Sequence, residues 1–282
     1  MTILVTGASG HLGHLVVERL LARGAAASDI VAGARTPAKI ADLADLGVRV
    51  VELDYDRPDT ITAALEGVDR VLLVSGSEVG KRAAQHQAVI DAASGVEQFV
   101  YTSLYHATES TLPLAGEHIE TEKAIAASGL PAVLLRNNWY TENYAADVAR
   151  SAESGELVAS VGDGRISSAS RVDFADAAAV VLLGEGHVGQ TYELAGDVAW
   201  TFDELAAAAS EVTGREVAYR RLNTEAHAAL LESFGLDAGT VGFVTALDAG
   251  IAQGGLEATE RTLSELIGRP TTPLVEGLRS SL

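Results

Sequence analysis

Gly7, Gly10 and Gly13 fall in the run Gly7-Ala8-Ser9-Gly10-His11-Leu12-Gly13. The apolar triplet Ile3-Leu4-Val5 stands before it, and the amphipathic pattern Leu12, Leu15, Val16, Leu20 follows. Glycine at such points permits a tight turn, close backbone approach to a pyrophosphate and close packing of helix on strand. The helix N-terminus then offers free N–H groups and partial positive charge to phosphate. In a chain with 28 glycines the spacing alone is weak; the strand before and helix after point to a dinucleotide loop, the competing reading being a tight βα turn. The second strand-like run ends Ala32-Gly33-Ala34-Arg35. It lacks the acid that takes a ribose 2′-hydroxyl in NAD-binding folds, and Arg35 is expected to pair with a 2′-phosphate, which selects NADPH. The competing reading of Arg35 is a solvated surface side chain. Asp54, past the third run, either accepts from the adenine amino group or caps the helix from Pro58. Ser75-Gly76-Ser77 ends the fourth run, at the edge where open sheets bind ligands, or is a plain loop.

These residues need a scaffold, and the first half of the chain supplies one. Strand-like runs at 3–5, 30–32, 48–53, 71–74, 99–101 and 133–135 alternate with helical stretches at 37–46, 58–65, 81–93 and 117–128. The strands are too apolar to have a wet face, which predicts a parallel sheet covered on both sides. Sequential βα units impose right-handed crossovers, so the fold class is α/β, a Rossmann-type doubly wound sheet. After Asn143 the rhythm changes. Helices are expected at 173–183, 202–212, 224–234 and 262–267, with strands at 191–194 and 217–219. The expected division is a cofactor-binding domain over 1–143, with a returning strand near 190–195, and a smaller α/β lobe over 144–282 on the substrate side, the boundaries of the two interleaved.

Composition excludes several classes. Lys plus Arg is 20 against 39 Asp plus Glu, a net charge of −19. Phosphate neutralisation needs clustered cations, so no nucleic-acid partner is expected, nor docking on anionic lipid. With no cysteine, thiol chemistry and Cys-ligated metals are out. No apolar run approaches the ~20 residues of a membrane span. The N-terminus carries no signal pattern, and the expected location is the cytoplasm. No metal-binding histidine spacing, Lys-containing Walker loop or nucleophile elbow occurs, so hydrolase and kinase readings have no support and no metal is expected.

The chain resembles the bacterial type 2 NADPH:quinone oxidoreductases, which belong to the atypical, NmrA-like short-chain dehydrogenase/reductases. The likeness rests on residues 7–14, on Ser77-Glu78-Val79-Gly80 and Tyr101-Thr102-Ser103-Leu104, on Glu117-His118-Ile119-Glu120-Thr121-Glu122-Lys123, and on the stretch 135–144 with Trp139-Tyr140. It continues through Gly162-Asp163-Gly164, 192–197 and 266–272, covering nearly the whole chain. The resemblance implies a cofactor run along Gly7 to Leu12, Arg35, Ser75-Gly76-Ser77, the segment Asn137, Asn138, Trp139, Tyr140, Thr141, Glu142, and Ser168.

Standard relatives use Tyr-x-x-x-Lys on the helix after the fifth strand, the Tyr protonating the nascent alkoxide. Aligned on the family pattern, Leu114 stands at the Tyr position and His118 at the Lys position, and the motif occurs nowhere in the chain. An alkoxide has a conjugate-acid pKa near ~15.7 and a hydroquinone anion one near ~10. That gap, on the order of 7–8 kcal/mol, is charge that no acid need neutralise when the acceptor is a quinone. The leading reading is hydride transfer from NADPH to a quinone. The alternative is a non-catalytic NADP(H)-binding redox sensor. His118 is the first candidate proton donor, expected to titrate near neutrality; its competing reading is an i,i+4 pair with Glu122. Tyr140 is the second, with Trp139 beside it placed to stack on a flat ring, or else packed in the core. Asn137 and Asn138 are candidates for the carboxamide or the quinone oxygen, and Ser103 for substrate orientation, the competing reading being that Thr102-Ser103 only caps the strand end. Homo-oligomerisation is left open.

Overall fold

The computed structural model describes residues 1–282. In chain order it runs β1 (Ile3–Val5), α1 (His11–Ala22), β2 (Ile30–Ala34), α2 (Ala41–Asp45), β3 (Arg49–Glu52), α3 (Pro58–Leu65), β4 (Arg70–Leu73), α4 (Arg82–Ala92), β5 (Gln98–Leu104), α5 (Ala115–Ser128) and β6 (Ala132–Asn137). Then come α6 (Ala145–Ser154), β7 (Glu156–Ala159), β8 (Arg165–Ile166), α7 (Arg171–Leu183), β9 (Thr191–Leu194), β10 (Trp200–Thr201), α8 (Phe202–Thr213), β11 (Ala218–Arg221), α9 (Thr224–Ser233), α10 (Ala238–Ala252), α11 (Thr262–Ile267) and α12 (Leu274–Ser281).

Seven strands form one parallel sheet in the order β3-β2-β1-β4-β5-β6-β9. The α/β doubly wound fold expected from the apolar runs is therefore the one observed. The order reverses between β1 and β4, and the carboxyl edge there is the ligand-binding position of such sheets. Every residue of β1, β2, β4 and β5 is buried, as strands covered on both faces must be. On one face Leu4, Val31, Ile61, Val71, Leu73, Val89, Phe99, Tyr101 and Ile125 make a continuous core. No helix is long and apolar enough to cross a membrane.

Contacts divide the chain by space rather than by order. One unit is Met1–Thr108, Gly116–Asn137 and Arg171–Leu194; the other is Glu109–Ala115, Asn138–Ser170 and Ala195–Leu282. This differs from a boundary at residue 143. The helix α7, expected in the second lobe, packs on α1 of the first unit and is buried on nearly all sides. The helix expected over 37–46 is a 3₁₀ turn, Pro37–Ile40, followed by the short α2.

The second unit contains the pairs β7–β11 (parallel) and β8–β10 (antiparallel) with α6 and α8–α12. Tyr144, Trp200 and Phe202 pack edge to face in its core, with centroids 5.2 and 5.8 Å from Tyr144. Thr201 and Glu204 form a capping box on α8. The helix α10 was not anticipated. It is apolar without a helical period and carries Gly239, Gly242 and Gly250, poor helix formers. Gly250 has a packing reason, since a Cβ there would lie 2.6 Å from Leu112 Cδ2.

In the first unit one half-buried guanidinium joins four elements. Arg136 on β6 donates twice to Glu122 of α5 (2.9 and 2.6 Å) and once to Glu193 of β9 (2.8 Å). Glu122 also accepts from Ser103 Oγ on β5 at 2.5 Å, and Glu193 from the His106 N–H at 2.8 Å. Removing Arg136 would leave two carboxylates without their cation in a largely buried site. Arg136→Met is expected to lower the unfolding free energy by about 3–5 kcal/mol, read from urea midpoints. Adding Glu122→Gln to that variant is expected to recover part of the loss. A loss under about 1 kcal/mol for the single variant would show that the node carries little.

Candidate active site

The first unit brings the phosphate loop, Arg35 and the Ser75–Ser77 segment to one edge of the sheet, at the ends of β1, β2 and β4. Gly7 takes φ +60°, a left-handed conformation that glycine adopts at little cost. The Gly10 N–H donates to the Gly7 carbonyl at 2.9 Å, and the Ala8 N–H to that of Gly33 at 2.9 Å. A Cβ on Gly13 would stand 2.5 Å from the Gly7 oxygen, so the third glycine lets α1 rest directly on the turn. No side chain caps α1, and Ser9, Gly10 and His11 are exposed. The first N–H groups of a helix have no partner within it, so this end can take a phosphate. The residues present thus fit a dinucleotide.

Beneath the loop, Tyr55 ties three strand ends. Its hydroxyl lies 2.5 Å from Thr6 Oγ1 and donates to the Val74 carbonyl at 2.9 Å, while Thr6 Oγ1 accepts from the Val74 N–H at 3.0 Å. Burial pushes the Tyr55 phenol up, so it stays protonated. No sequence pattern pointed to it. Asp54, beside it, does not cap α3: its Oδ1 accepts from the Asp56 N–H at 3.1 Å, and the N-cap position is Arg57. Arg35 is exposed but not free; its Nη1 donates to Glu78 Oε1 at 2.8 Å.

The Ser75–Ser77 segment is held by buried polar groups. The Ser75 N–H donates to Thr102 Oγ1 at 2.9 Å, and the Gly76 N–H to His86 Nε2 at 2.9 Å. Because that N–H can only donate, the His86 proton sits on Nδ1, facing Thr121 Oγ1 at 2.9 Å; Thr121 then donates to the Glu117 carbonyl at 2.9 Å. A Cβ on Gly76 would stand 3.3 Å from Gln85 Oε1, a tight fit that favours the smaller residue.

His118 lies next to this network. It is buried, and its Nδ1 is 2.8 Å from the Tyr101 hydroxyl. Burial, then the charge of Arg82, pushes its pKa down to about 3, and His86 is pushed to about 3 by the same two causes. This corrects both readings of His118. It does not titrate near neutrality, and it does not pair with Glu122, which Arg136 and Ser103 occupy. Ser103 is likewise committed to Glu122. Leu114 immediately precedes α5 and offers no proton.

In the second unit, residues 139–141 lie alongside the segment at Ser168 and Ala169. Ala169 donates to the Trp139 carbonyl at 3.2 Å and accepts from the Thr141 N–H at 3.0 Å. Thr141 Oγ1 is 2.8 Å from Ser168 Oγ, which also takes the Trp200 indole N–H at 3.0 Å. Asn138 is buried and spent on backbone: Nδ2 donates to the Leu256 carbonyl at 3.2 Å, and Oδ1 accepts from the Trp139 N–H at 2.7 Å. It fixes the segment's course and leaves little to offer a carboxamide. Trp139, Tyr140 and Glu142 are half-buried. Asn137 ends β6 in the first unit, its carbonyl accepting from the Tyr105 N–H at 3.0 Å.

The two buried imidazoles make stability depend on pH with a definite sign. Both have a folded pKa of about 3 and an ordinary one near ~6.5 when unfolded. As pH falls below ~6.5 the unfolded chain binds protons that the folded chain refuses, so stability is full above that pH and is lost towards about 3. From pH 7 to pH 5 a loss of about 2 kcal/mol per imidazole is expected in urea titrations. His118→Phe is expected to reduce that loss by about half; an unchanged loss would mean that His118 titrates alike in both states.

A family profile described as NAD(P)H-binding matches residues 7–183. The chain is 49% identical over 278 residues to quinone oxidoreductase 2 of Escherichia coli (strain K12), covering 98% of this chain and 97% of that one. The crystal structure of the NADPH-dependent quinone oxidoreductase of Escherichia coli complexed with NADPH matches with a TM-score of 0.94 at 48% identity, over 99% of both chains. The triphenylmethane reductase of Citrobacter sp. complexed with NADP(H) matches with a TM-score of 0.93 at 38% identity, over 100% of both chains. With its glycine loop at the switch point of a seven-stranded parallel sheet, the chain belongs to the NAD(P)H-binding, NmrA-like branch of the short-chain dehydrogenase/reductases, together with the type 2 quinone oxidoreductases.

Proposed function

We propose that the chain is an NADPH:quinone oxidoreductase that reduces a quinone to its hydroquinone. When bound, NADPH supplies a hydride, and the acceptor takes that hydride and one proton. The uncapped start of α1 and the backbone around Gly7 and Gly10 bind the pyrophosphate, and Arg35 reads the 2′-phosphate.

The observation that carries the choice of acceptor is the lack of a strong acid among the candidate residues. Leu114 has no proton to give. His118 is neutral and held by Tyr101, whose phenol burial pushes up. None of these is a phenol with a lowered pKa, the acid that standard relatives set beside the carbonyl. A hydroquinone anion is a base weaker than an alkoxide by roughly 5–6 pKa units, and water or a neutral donor suffices for it. The protein's part is then to orient the ring and exclude water. Tyr140 remains a candidate to stack on the ring or to pass it a proton.

Three expectations test this. NADPH oxidation should be fast with benzoquinone-type acceptors and negligible with simple aliphatic ketones; turnover of the ketone would imply an acid outside this set, and no turnover with any quinone would favour the redox sensor. Arg35→Ala should weaken NADPH at least about tenfold and leave NADH nearly unchanged, by direct titration; equal losses would remove Arg35 from the 2′-phosphate. With its imidazole neutral, buried and held by Tyr101, His118→Phe should leave kcat/KM for the quinone within about threefold of the wild type and the NADPH Kd unchanged, the proton coming from water or Tyr140. A loss of ~10- to 100-fold would return His118 to the proton path.

A further inference from the structure

Glu78 carries a role that neither the motifs nor the fold assign. It lies in the connection between β4 and α4, yet its carboxylate accepts from Arg35 Nη1, beyond the end of β2, at 2.8 Å. In the sheet order, β1 lies between β2 and β4. Two strand spacings, about 10 Å, separate the columns that the pair joins. The ion pair therefore spans the carboxyl end of β1, from which the glycine loop springs.

The segment bearing Glu78 is anchored on both sides. The Gly76 carbonyl accepts from Arg82 Nε at 2.6 Å, and Arg82 is buried. The Gly80 N–H donates to Glu117 Oε1 at 2.8 Å, and Arg82 Nη1 to Glu117 Oε2 at 3.0 Å. The Glu78 carbonyl accepts from the N–H groups of Lys81 and Arg82, both at 3.1 Å, so its backbone is fixed. The other carboxylate oxygen takes Lys81 Nζ at 3.2 Å. Arg35 and Lys81 are each more than 60% exposed, open to an incoming anion, while Glu78 is about one-third exposed.

A 2′-phosphate carries close to two negative charges near neutral pH and seeks a two-pronged contact with a guanidinium. Here a carboxylate already holds one prong. An acid near the ribose also accepts well from a 2′-hydroxyl, as the acid at the end of the second strand does in NAD-binding folds. In this chain the acid comes from the connection after β4.

We infer that Glu78 is a cofactor-specificity residue whose carboxylate competes with the 2′-phosphate for Arg35, lowering the preference for NADPH over NADH. The inference rests on the reading of Arg35 as the 2′-phosphate ligand. A single negative charge a few ångströms from a phosphate dianion at the surface corresponds to a roughly three- to tenfold effect on binding.

The test is calorimetric titration of NADPH, NADH, 2′,5′-ADP and 5′-AMP into the wild type, Glu78→Gln, Arg35→Ala and the double variant. Glu78→Gln is expected to tighten NADPH and 2′,5′-ADP about three- to tenfold and to leave NADH and 5′-AMP unchanged or weaker. In the Arg35→Ala background that gain should shrink to what direct repulsion between carboxylate and phosphate contributes, and an undiminished gain overturns the competition for Arg35. Weaker NADPH binding in Glu78→Gln, or equal changes for both cofactors, overturns the inference. If Arg35→Ala lowers the NADPH/NADH ratio while Glu78→Gln fails to raise it, the role of Glu78 fails alone. If Arg35→Ala leaves the ratio unchanged, the reading of Arg35 beneath it has failed.

Discussion

The guanidinium of Arg136 sets the rotation of α5, and much of the first unit follows from that. Glu117, His118, Thr121 and Glu122 share one face of the helix by 3.6-residue periodicity. With Glu122 locked to Arg136, Thr121 meets His86, His118 meets Tyr101, and Glu117 meets Arg82 and Gly80. Through His86 and Arg82 the same arrangement holds Gly76 and the connection after β4. The group has one cation and two carboxylates, and the Ser103 hydroxyl and the His106 N–H share the excess charge. Buried ions are tolerated only when so fully bonded.

Much of the scaffold was legible because parallel strands covered on both sides must be apolar, and the six runs stood out between helical stretches. The glycine loop was legible for the same reason, since β1 before it and α1 after it are local. What could not be read depends on pairs distant in sequence. Arg35 and Glu78 are 43 residues apart, and nothing near either suggests the other. Glu122 looked like a partner for His118 by helical spacing, but a cation on β6 claimed it. Interleaved boundaries and a returning strand are legible, but the assignment of α7 to the first unit is not, because its near-total burial follows from packing on α1 and the sheet, far away in sequence.

Asn138 shows a further limit. A buried amide beside two aromatics reads as a ligand group, but both its ends are used to fix backbone. A polar side chain under a loop more often satisfies the chain than a ligand, because an unpaired backbone group in the interior costs about as much as a lost hydrogen bond. Thr102, Thr121 and His86 follow the same logic around Ser75 and Gly76.

The interleaving of the two units has a consequence for how the chain is made. The edge strand β9 and the helix α7 that covers α1 belong to the first unit, yet they leave the ribosome only after residues 138–170 of the second. The first 137 residues thus emerge as an incomplete sheet, with β6 unpaired on one side and the outer face of α1 bare. Parallel pairing across such a separation is slow and exposes apolar edges to association. Completion of the cofactor-binding unit must wait until residue 194 is free, and a fragment cut after the sixth strand would lack both its cover and its edge.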